Sequence, residues 1–264
     1  MKYSVVIPLY NSEKTIIKTL KSVMNQTRLD LIDEIVIVDD GSTDLSVKII
    51  NDYIAKEKID IVKIVSQENK GAASARNKGI SLAKNEFIAL LDADDEWKKQ
   101  KLEFQNKIFE TNKNVKALGS NREGEMIHLG KKTEEGIFKI SPFQYCIKNW
   151  PCTPSLIFDK SIFDGRNPFP EDMSHAEEGL FFLELAYKVG LYYLKDELVL
   201  CGGGKRAFGA SGLSGNIKKM HLGVNEMIKR AEKRGYIKRN QVFILLAYEY
   251  LKYIRRKVIV WKEK

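Results

Sequence analysis

The sequence has few cysteines and histidines, and its hydrophobic residues form no long run. Its 264 residues include three cysteines and three histidines, the two residue types that most often bind zinc. Cys146, Cys152 and Cys201 are an odd number with no C-x-x-C spacing, so we expect reduced thiols rather than a disulfide framework or a zinc site. No stretch reaches the ~18 apolar residues of a membrane span. A strand is predicted to begin near Tyr3, which leaves no room for a signal peptide, and the expected location is the cytoplasm.

Glycine-rich signatures that bind phosphates are also missing. The sequence contains no G-x-G-x-x-G, and the glycines before Lys205 have neither the spacing nor the Ser or Thr of a P-loop. We therefore do not expect backbone amides of a glycine-rich loop to bind phosphates. A dinucleotide-dependent dehydrogenase and a P-loop ATPase are both disfavoured.

Positive charge is concentrated at the C-terminus. The whole chain carries a formal net charge of +9. Residues 218–264 contain 14 Lys and Arg against four Glu, a balance of +10, so the preceding residues sum to −1. A neutral body with a basic tail argues against nucleic acid as a partner of the body, and it directs any anionic partner to the tail.

Predicted strands and helices alternate through the first 112 residues. Short apolar segments at 3–8, 34–38, 59–65 and 87–91 are typical of strands that are buried on both faces. The helical segment near 71–80 is rich in small residues, which suit close packing against a neighbour. The alternation predicts parallel βαβ units with right-handed crossovers, and therefore an α/β fold.

The alternation weakens after residue 113. Further strands, hairpin pieces and helices are predicted at 115–119, 126–129, 136–140, 179–189, 191–200 and 218–264. The sequence shows no internal repeat and no linker rich in Pro or Ser, so we expect one continuous domain. Its predicted parts are residues 1–112, residues 113–216, and a basic helical C-terminal extension at residues 217–264.

Carboxylates follow two of the predicted strands. Asp39 and Asp40 come after the second strand, and Asp92, Asp94 and Asp95 come after the fourth. The carboxyl ends of parallel strands bind ligands at one edge of a sheet, and acids gathered there repel one another unless a cation compensates them. A divalent cation shared with a substrate phosphate would do so. The alternative is a set of solvated turn and helix-cap residues.

Four short segments, in their order and spacing, resemble family 2 glycosyltransferases. They are Val5-Val6-Ile7-Pro8-Leu9-Tyr10-Asn11, Val38-Asp39-Asp40-Gly41-Ser42-Thr43-Asp44, Ala75-Arg76-Asn77-Lys78-Gly79 and Leu91-Asp92-Ala93-Asp94-Asp95-Glu96-Trp97. The resemblance implies the GT-A fold, a Rossmann-like and mostly parallel sheet flanked by helices. It also implies an inverting, metal-dependent enzyme that moves a sugar from a nucleotide-sugar, expected to be a UDP-sugar, to a hydroxyl of a glycan or lipid-linked glycan in surface polysaccharide synthesis.

The resemblance assigns the donor to residues 1–112 and the acceptor and base to residues 113–216. Within the first part, it implies that Pro8 and Tyr10 line the base pocket and that Asp40, with Asp39 beside it, accepts a hydrogen bond from the nucleobase. Basic Arg76 would lie near the ribose and diphosphate. The D-x-D pair would place Asp92 towards the ribose or sugar and Asp94 on a Mg²⁺ or Mn²⁺ ion that bridges the diphosphate. The alternative for Tyr10 is ordinary core packing.

The catalytic base implied by the resemblance is Glu178, where the family has the Asp of a Glu-Asp pair at a helix start. Glu177 and Asp172 are reserve candidates, because the substitution lengthens the side chain by one methylene. Two acids at a helix start also suit the helix dipole. If Glu in place of Asp at this position prevents proton transfer, the alternative is that the chain is a non-catalytic member of the family that binds a nucleotide-sugar or a glycan.

Two further segments, a glycine-rich one before Lys205 and a basic one at residues 241–264, lie beyond the predicted sheet. The resemblance implies that a glycine-rich loop brings Lys205 or Arg206 to the leaving diphosphate, and the alternative is a surface loop. Residues 241–264 predict a basic amphipathic helix with aromatic residues. Such a helix can contact an anionic membrane surface, here at the inner face of the membrane. Its alternatives are packing on the body and packing on the partner of a homodimer.

Overall fold

Four parallel strands and three helices form the first half of the molecule. The computed structural model describes residues 1–125, 129–134, 136–202 and 216–262. Strands and helices of the first half are β1 (Tyr3–Leu9), α1 (Ile16–Met24), β2 (Ile32–Asp39), α2 (Ser46–Glu57), β3 (Val62–Ser66), α3 (Ala72–Leu82) and β4 (Phe87–Leu90). The strands lie in the order β3-β2-β1-β4 and every pair is parallel. Because both faces of β1 and β2 are covered, their sequences are nearly continuous apolar runs.

The second half continues the same sheet with mixed pairing. Its elements are β5 (Glu96–Trp97), α4 (Lys101–Thr111), β6 (Ala117–Arg122), β7 (Lys131–Lys132), β8 (Phe138–Ile140), α5 (Pro142–Lys148), β9 (Ile157–Asp159), α6 (Glu177–Lys188) and β10 (Leu191–Leu200). Strand β9 is antiparallel to both β4 and β6, whereas β10 is parallel to β6 and antiparallel to β8 and β5. The predicted α/β class is confirmed, with a sheet that is parallel in its first half and mixed in its second.

Helix α3 packs directly against the sheet, as its small residues predict. A Cβ atom added at Gly79 would lie 2.5 Å from Val6 Cγ1 on β1. Val6 is fully buried and β-branched, so its side chain has little freedom to move away. The glycine therefore sets the distance between the helix and the strand, and with it the position of Arg76 three residues earlier.

The two C-terminal helices pack on the body. They are α7 (Ile217–Lys233) and α8 (Arg239–Lys262), and α8 lies against α7 and α5. Leu245 on α8 is buried, and Lys252 Nζ donates a hydrogen bond to the backbone carbonyl of Ile147, at 3.2 Å. The outer face of α8 exposes apolar side chains, including Phe243 and Trp261. Within the described residues, no helix combines the length and the apolar character needed to cross a membrane.

All three cysteines are free thiols, as the sequence predicts. Cys146 is buried on the inner face of α5. The Sγ atoms of Cys152 and Cys201 lie 3.8 Å apart, which is hydrogen-bonding rather than covalent distance.

Replacing Gly79 by Ala tests the close packing of α3. The clash with Val6 is expected to cost about 1–3 kcal/mol, and the better helix propensity of Ala returns up to about 1 kcal/mol. With the full propensity returned, we expect a net loss of up to about 2 kcal/mol in the free energy of unfolding, measured by urea denaturation. The matched control is Ser81→Ala on the exposed side of the same helix, which gains propensity without the clash. A Gly79→Ala protein as stable as this control would contradict the argument.

Candidate active site

A cleft of about 840 Å³ lies at the carboxyl ends of β1, β2 and β4. We call it the acidic cleft. The predicted site residues that line it are Pro8, Tyr10, Asp40, Arg76, Asp92 and Asp94. The Tyr10 side chain is 50% exposed, so its ring is available for stacking and is not ordinary core packing. The sheet therefore brings together side chains that follow three different strands, as the sequence predicts.

Asp40 lines the acidic cleft and also holds the loop that leads into α3. Its Oδ1 accepts hydrogen bonds from Lys70 N at 2.9 Å and from Gln67 Nε2 at 2.8 Å, and its Oδ2 accepts one from Gly71 N at 2.8 Å. Asp39 is buried and accepts from Ser42 N at 3.0 Å, and it does not line the cleft. Asp39 is therefore a turn residue in this structure, whereas Asp40 keeps one lone pair, on Oδ2, that a ligand can use.

Arg76 connects the acidic cleft to helix α6. Its guanidinium lies 2.7 Å from Asp92 Oδ1 and 3.4 Å from Glu177 Oε1. The residue is only 8% exposed, and its guanidinium stands over the ring of Phe169 at 5.4 Å. Burial opposes the positive charge, but the two carboxylates outweigh it and raise the pKa of Arg76 above its usual value. Arg76 therefore remains a fixed cation between two carboxylates.

The acidic cleft has an excess of negative charge. Five carboxylates, Glu13, Asp40, Asp44, Asp92 and Asp94, and two basic side chains, Lys14 and Arg76, line it among the described residues. A nucleoside diphosphate would be repelled by this excess unless a cation were bound with it.

Asp94 is the residue best placed to hold such a cation. It is exposed, lines the acidic cleft, and lies two positions after Asp92, whose Oδ1 is already paired with Arg76. In the described part of the chain, no three His, Cys, Asp or Glu side chains form a complete metal cage. One or two carboxylates that leave the other positions to phosphates and water are what Mg²⁺ sites commonly use. The residues present therefore fit a cation that binds together with a diphosphate.

A second cleft, of about 880 Å³, contains Glu178. We call it the basic cleft, because Arg122, Lys148, Lys252, Arg255 and Arg256 also line it. Burial, together with the neighbouring charge of Glu177, raises the pKa of Glu178 to about 8. Glu177 pairs with Arg76 and lines neither cleft, whereas Glu178 lines the basic cleft. A carboxyl group with a pKa near neutrality is suited to proton transfer.

The remaining predicted residues lie elsewhere. Asp172 is on the surface, where its Oδ2 pairs with Arg230 at 2.6 Å, and it lines neither cleft. Lys205 and Arg206 lie outside the described residues. Gly202, the last described residue before them, donates its backbone N–H to Asp95 Oδ1 at 2.6 Å. Burial, Asp92 and Asp94 raise the pKa of Asp95 to about 8.

The family is identified by the match to known proteins. The model of glycosyl transferase family 2 matches residues 4–157, more than half of the chain. The chain belongs to glycosyl transferase family 2. An uncharacterized glycosyltransferase of Rickettsia conorii is 33% identical over 214 residues, which cover 78% of this chain and 34% of that protein. The poly(ribitol-phosphate) β-N-acetylglucosaminyltransferase TarS of Staphylococcus aureus is 28% identical over 193 residues, 70% of this chain and 32% of TarS. The chain thus spans about a third of the length of these two relatives.

Solved structures show the same fold. The crystal structure of S. aureus TarS 1–349 in complex with UDP-GlcNAc has a TM-score of 0.69 and 22% identity, and covers 95% of this chain and 72% of that one. The mannosyltransferase PcManGT of Pyrobaculum calidifontis, in complex with GDP-Man and Mn²⁺, also has a TM-score of 0.69, with 18% identity, over 94% and 68% of the two chains. The predicted GT-A architecture is confirmed.

Sequence reasoning missed two residues that shape this family 2 site. Asn77 Nδ2 donates to Phe169 O and to Glu171 Oε1, both at 2.8 Å, and its Oδ1 accepts from Phe169 N at 2.9 Å. These bonds fix the segment that leads to Glu177. Trp150 lines the basic cleft and follows α5. Asn77 stands beside Arg76 in the Ala75–Gly79 motif, so its place in the sequence pointed to the site. Nothing in the sequence near Trp150 relates that residue to Glu178.

The pKa of Glu178 can be measured directly. In protein labelled with ¹³C at the glutamate carboxyls, we expect the Glu178 resonance to titrate with a midpoint of about 8. Glu177→Gln removes a neighbouring negative charge and should lower this midpoint, while burial keeps it above the ordinary value of 4.5. Asp172→Asn, at the surface, is the control and should leave the midpoint unchanged. An ordinary midpoint in the unsubstituted protein would show that Glu178 is solvated.

Proposed function

We propose that this chain is an inverting, metal-dependent glycosyltransferase. It would move a sugar from a nucleotide-sugar, most simply a UDP-sugar, to a hydroxyl of a glycan or lipid-linked glycan. The observation that carries the proposal is the pairing of Arg76 with both Asp92 and Glu177. Through this one side chain, the acidic cleft meets the helix that presents Glu178 to the basic cleft. A donor in the first cleft and an acceptor in the second would then meet at Arg76.

On the donor side, the residues of the acidic cleft that the sequence singled out would contact different parts of the nucleotide-sugar. Pro8 and the exposed ring of Tyr10 would hold the base, Asp40 would accept a hydrogen bond from it, and Asp39 would support this turn. Arg76 and Asp92 would contact the ribose, sugar or diphosphate. A Mn²⁺ or Mg²⁺ ion on Asp94 would neutralise the diphosphate as it leaves. The complexes of TarS with UDP-GlcNAc and of PcManGT with GDP-Man and Mn²⁺ support this class of ligand.

The acceptor side assigns proton transfer to Glu178. The acceptor oxygen attacks the anomeric carbon, the bond from that carbon to the diphosphate oxygen breaks, and the hydroxyl proton passes to the Glu178 carboxylate. Attack from the side opposite the leaving group inverts the anomeric centre. Residues 1–112 would thus bind the donor, residues 113–216 would supply the base and much of the acceptor site, and residues 217–264 would extend it. The product would be a surface polysaccharide, and the name of TarS supports a polymer as the acceptor. A lipid-linked acceptor would bring the protein to the inner face of the membrane.

Asp94→Ala tests the donor site. We expect UDP-sugars with Mn²⁺ to raise the melting temperature of the unsubstituted protein, and UDP-, GDP- and dTDP-sugars compared side by side identify the nucleotide. Asp94→Ala should lose the Mn²⁺-dependent part of this shift, because the cation that offsets the charge of the cleft has lost its carboxylate. Asp52→Ala on the exposed face of α2 is the control. A full Mn²⁺-dependent shift in Asp94→Ala would contradict the assignment.

Glu178→Gln tests the base. The variant should bind the donor normally but transfer sugar at least about 100-fold more slowly, measured as release of the nucleoside diphosphate with an acceptor present. Because only the ionised carboxyl accepts a proton, kcat/KM of the unsubstituted enzyme should rise with pH through about 8. Unimpaired transfer by Glu178→Gln would move the base to Glu177. Donor binding without transfer in the unsubstituted protein, for every donor and acceptor tried, would favour the non-catalytic alternative.

A further inference from the structure

The two clefts have opposite charge. The basic cleft is lined by five basic side chains, Arg122, Lys148, Lys252, Arg255 and Arg256, and by two carboxylates, Glu125 and Glu178. It therefore has an excess of three positive charges when all these groups are ionised, whereas the acidic cleft has an excess of three negative charges. Such an excess beside a proton acceptor favours a ligand that carries negative charge close to the reacting hydroxyl.

The basic side chains are held in place by a small number of carboxylates. Lys148 Nζ lies 3.0 Å from Glu125 Oε1. Glu249, which is 1% exposed, lies beneath the cleft, 2.7 Å from Lys252 Nζ and 3.0 Å from an Arg256 terminal nitrogen. One buried carboxylate thus orients two of the cations that line the cleft.

Arg255 is the cation most available to a ligand. It lies on α8 between Lys252 and Arg256, is exposed, and lines the basic cleft. Among the residues that the structure describes, no carboxylate forms a salt bridge with it. A guanidinium has a planar set of donors that matches two oxygens of a phosphate group. Arg255 is therefore suited to an anion that comes from outside the protein.

Trp150 adds a neutral donor to the same cleft. The residue is 3% exposed, and its indole Nε1–H has no hydrogen-bond partner within the described part of the chain. The guanidinium of Arg122 lies 5.6 Å from the centre of its ring. A buried donor without a partner is costly, and Trp150 also lines the cleft, where its side chain is suited to contact a sugar or polyol unit. The cleft thus offers groups for an anion and for a neighbouring hydroxylated unit.

We propose that the basic cleft binds an acceptor that carries a phosphate group next to the hydroxyl that is glycosylated. This inference rests on the proposed function, since it takes Glu178 as the base, and it names the class of acceptor. Arg255, with Lys252 and Arg256, contacts the phosphate, and Trp150 contacts the hydroxylated unit. The donor's own diphosphate is not the ligand of this cleft, because it belongs with the cation at Asp94 in the acidic cleft.

The phosphate can come from either of two sources. In a polymer of polyol phosphates, phosphodiesters alternate with free hydroxyls. In a lipid-linked glycan, the phosphate joins the sugar to the lipid. The probes are accordingly a fluorescent glycerol phosphate oligomer, with neutral maltooligosaccharide of similar length for comparison, and vesicles of phosphatidylglycerol in phosphatidylcholine, with phosphatidylcholine vesicles for comparison.

The decisive comparison uses the charge reversals Arg255→Glu and Lys257→Glu. Both residues are exposed on α8 and the net charge changes equally, but Lys257 does not line the basic cleft. We expect the unsubstituted protein to bind a phosphate probe, with affinity that falls as salt rises, and to bind the neutral probes at least about tenfold more weakly. Arg255→Glu should weaken binding of the phosphate probe by about tenfold or more, while Lys257→Glu stays within about twofold.

Each outcome decides the matter. If only Arg255→Glu weakens binding of the phosphate probe, the proposal is supported. Binding of the oligomer or of the vesicle then identifies the source of the phosphate. Equal binding of neutral and phosphate probes, or an equal effect of the two variants, overturns it, the latter because the whole surface would be acting. The UDP-induced shift in melting temperature reports on the acidic cleft separately. Phosphate binding without any nucleotide binding would therefore contradict the proposed function and leave the anion site standing.

Discussion

A buried guanidinium is the interaction on which the arrangement of this site depends. Arg76 lies between Asp92, at the end of a central strand, and Glu177, at the start of α6. Removing one partner of a buried ion pair commonly costs about 3–5 kcal/mol, because the other charge is left without compensation. The pairing therefore constrains the start of α6, and with it Glu178, relative to the sheet edge. Close packing at Gly79 constrains the same guanidinium from the side of α3.

The opposite charges of the two clefts follow from different parts of the fold. The carboxylates of the acidic cleft come from turns after parallel strands, where polar side chains collect because the strands themselves are buried. The cations of the basic cleft come mainly from helices α5 and α8. Glu178 lines the basic cleft, and Glu177, the residue before it, pairs with Arg76 of the acidic cleft. The raised pKa of Glu178 results from burial and from Glu177, and the nearby positive charge of Arg76 offsets only part of that effect.

The parallel half of the fold and the residues of the acidic cleft could be predicted from sequence, because both depend on local patterns. Apolar runs predicted the central strands, and the carboxylates that follow them located Asp40 and Asp94 at one sheet edge. The contacts of Arg76 could not be predicted in this way, since Glu177 lies 101 positions away and no local period relates the two. The structure also shows what a pattern does not: Asp39 is used in a turn, while Asp40 both lines the cleft and holds a loop.

The C-terminal helix α8 forms one wall of the basic cleft, so residues far apart in the sequence together line it. Counted along the sequence, its positive charge belongs to a tail, and the pattern alone allows a membrane contact or packing on the body. In the structure Lys252 bonds to the carbonyl of Ile147, 105 positions earlier, and Glu249 holds Lys252 and Arg256 from below. Since a buried carboxylate without its cations would be destabilising, these pairs fix the rotation of α8. Arg255 is fixed with them, so charge that is distant in sequence from Glu178 forms a wall of the cleft that contains it.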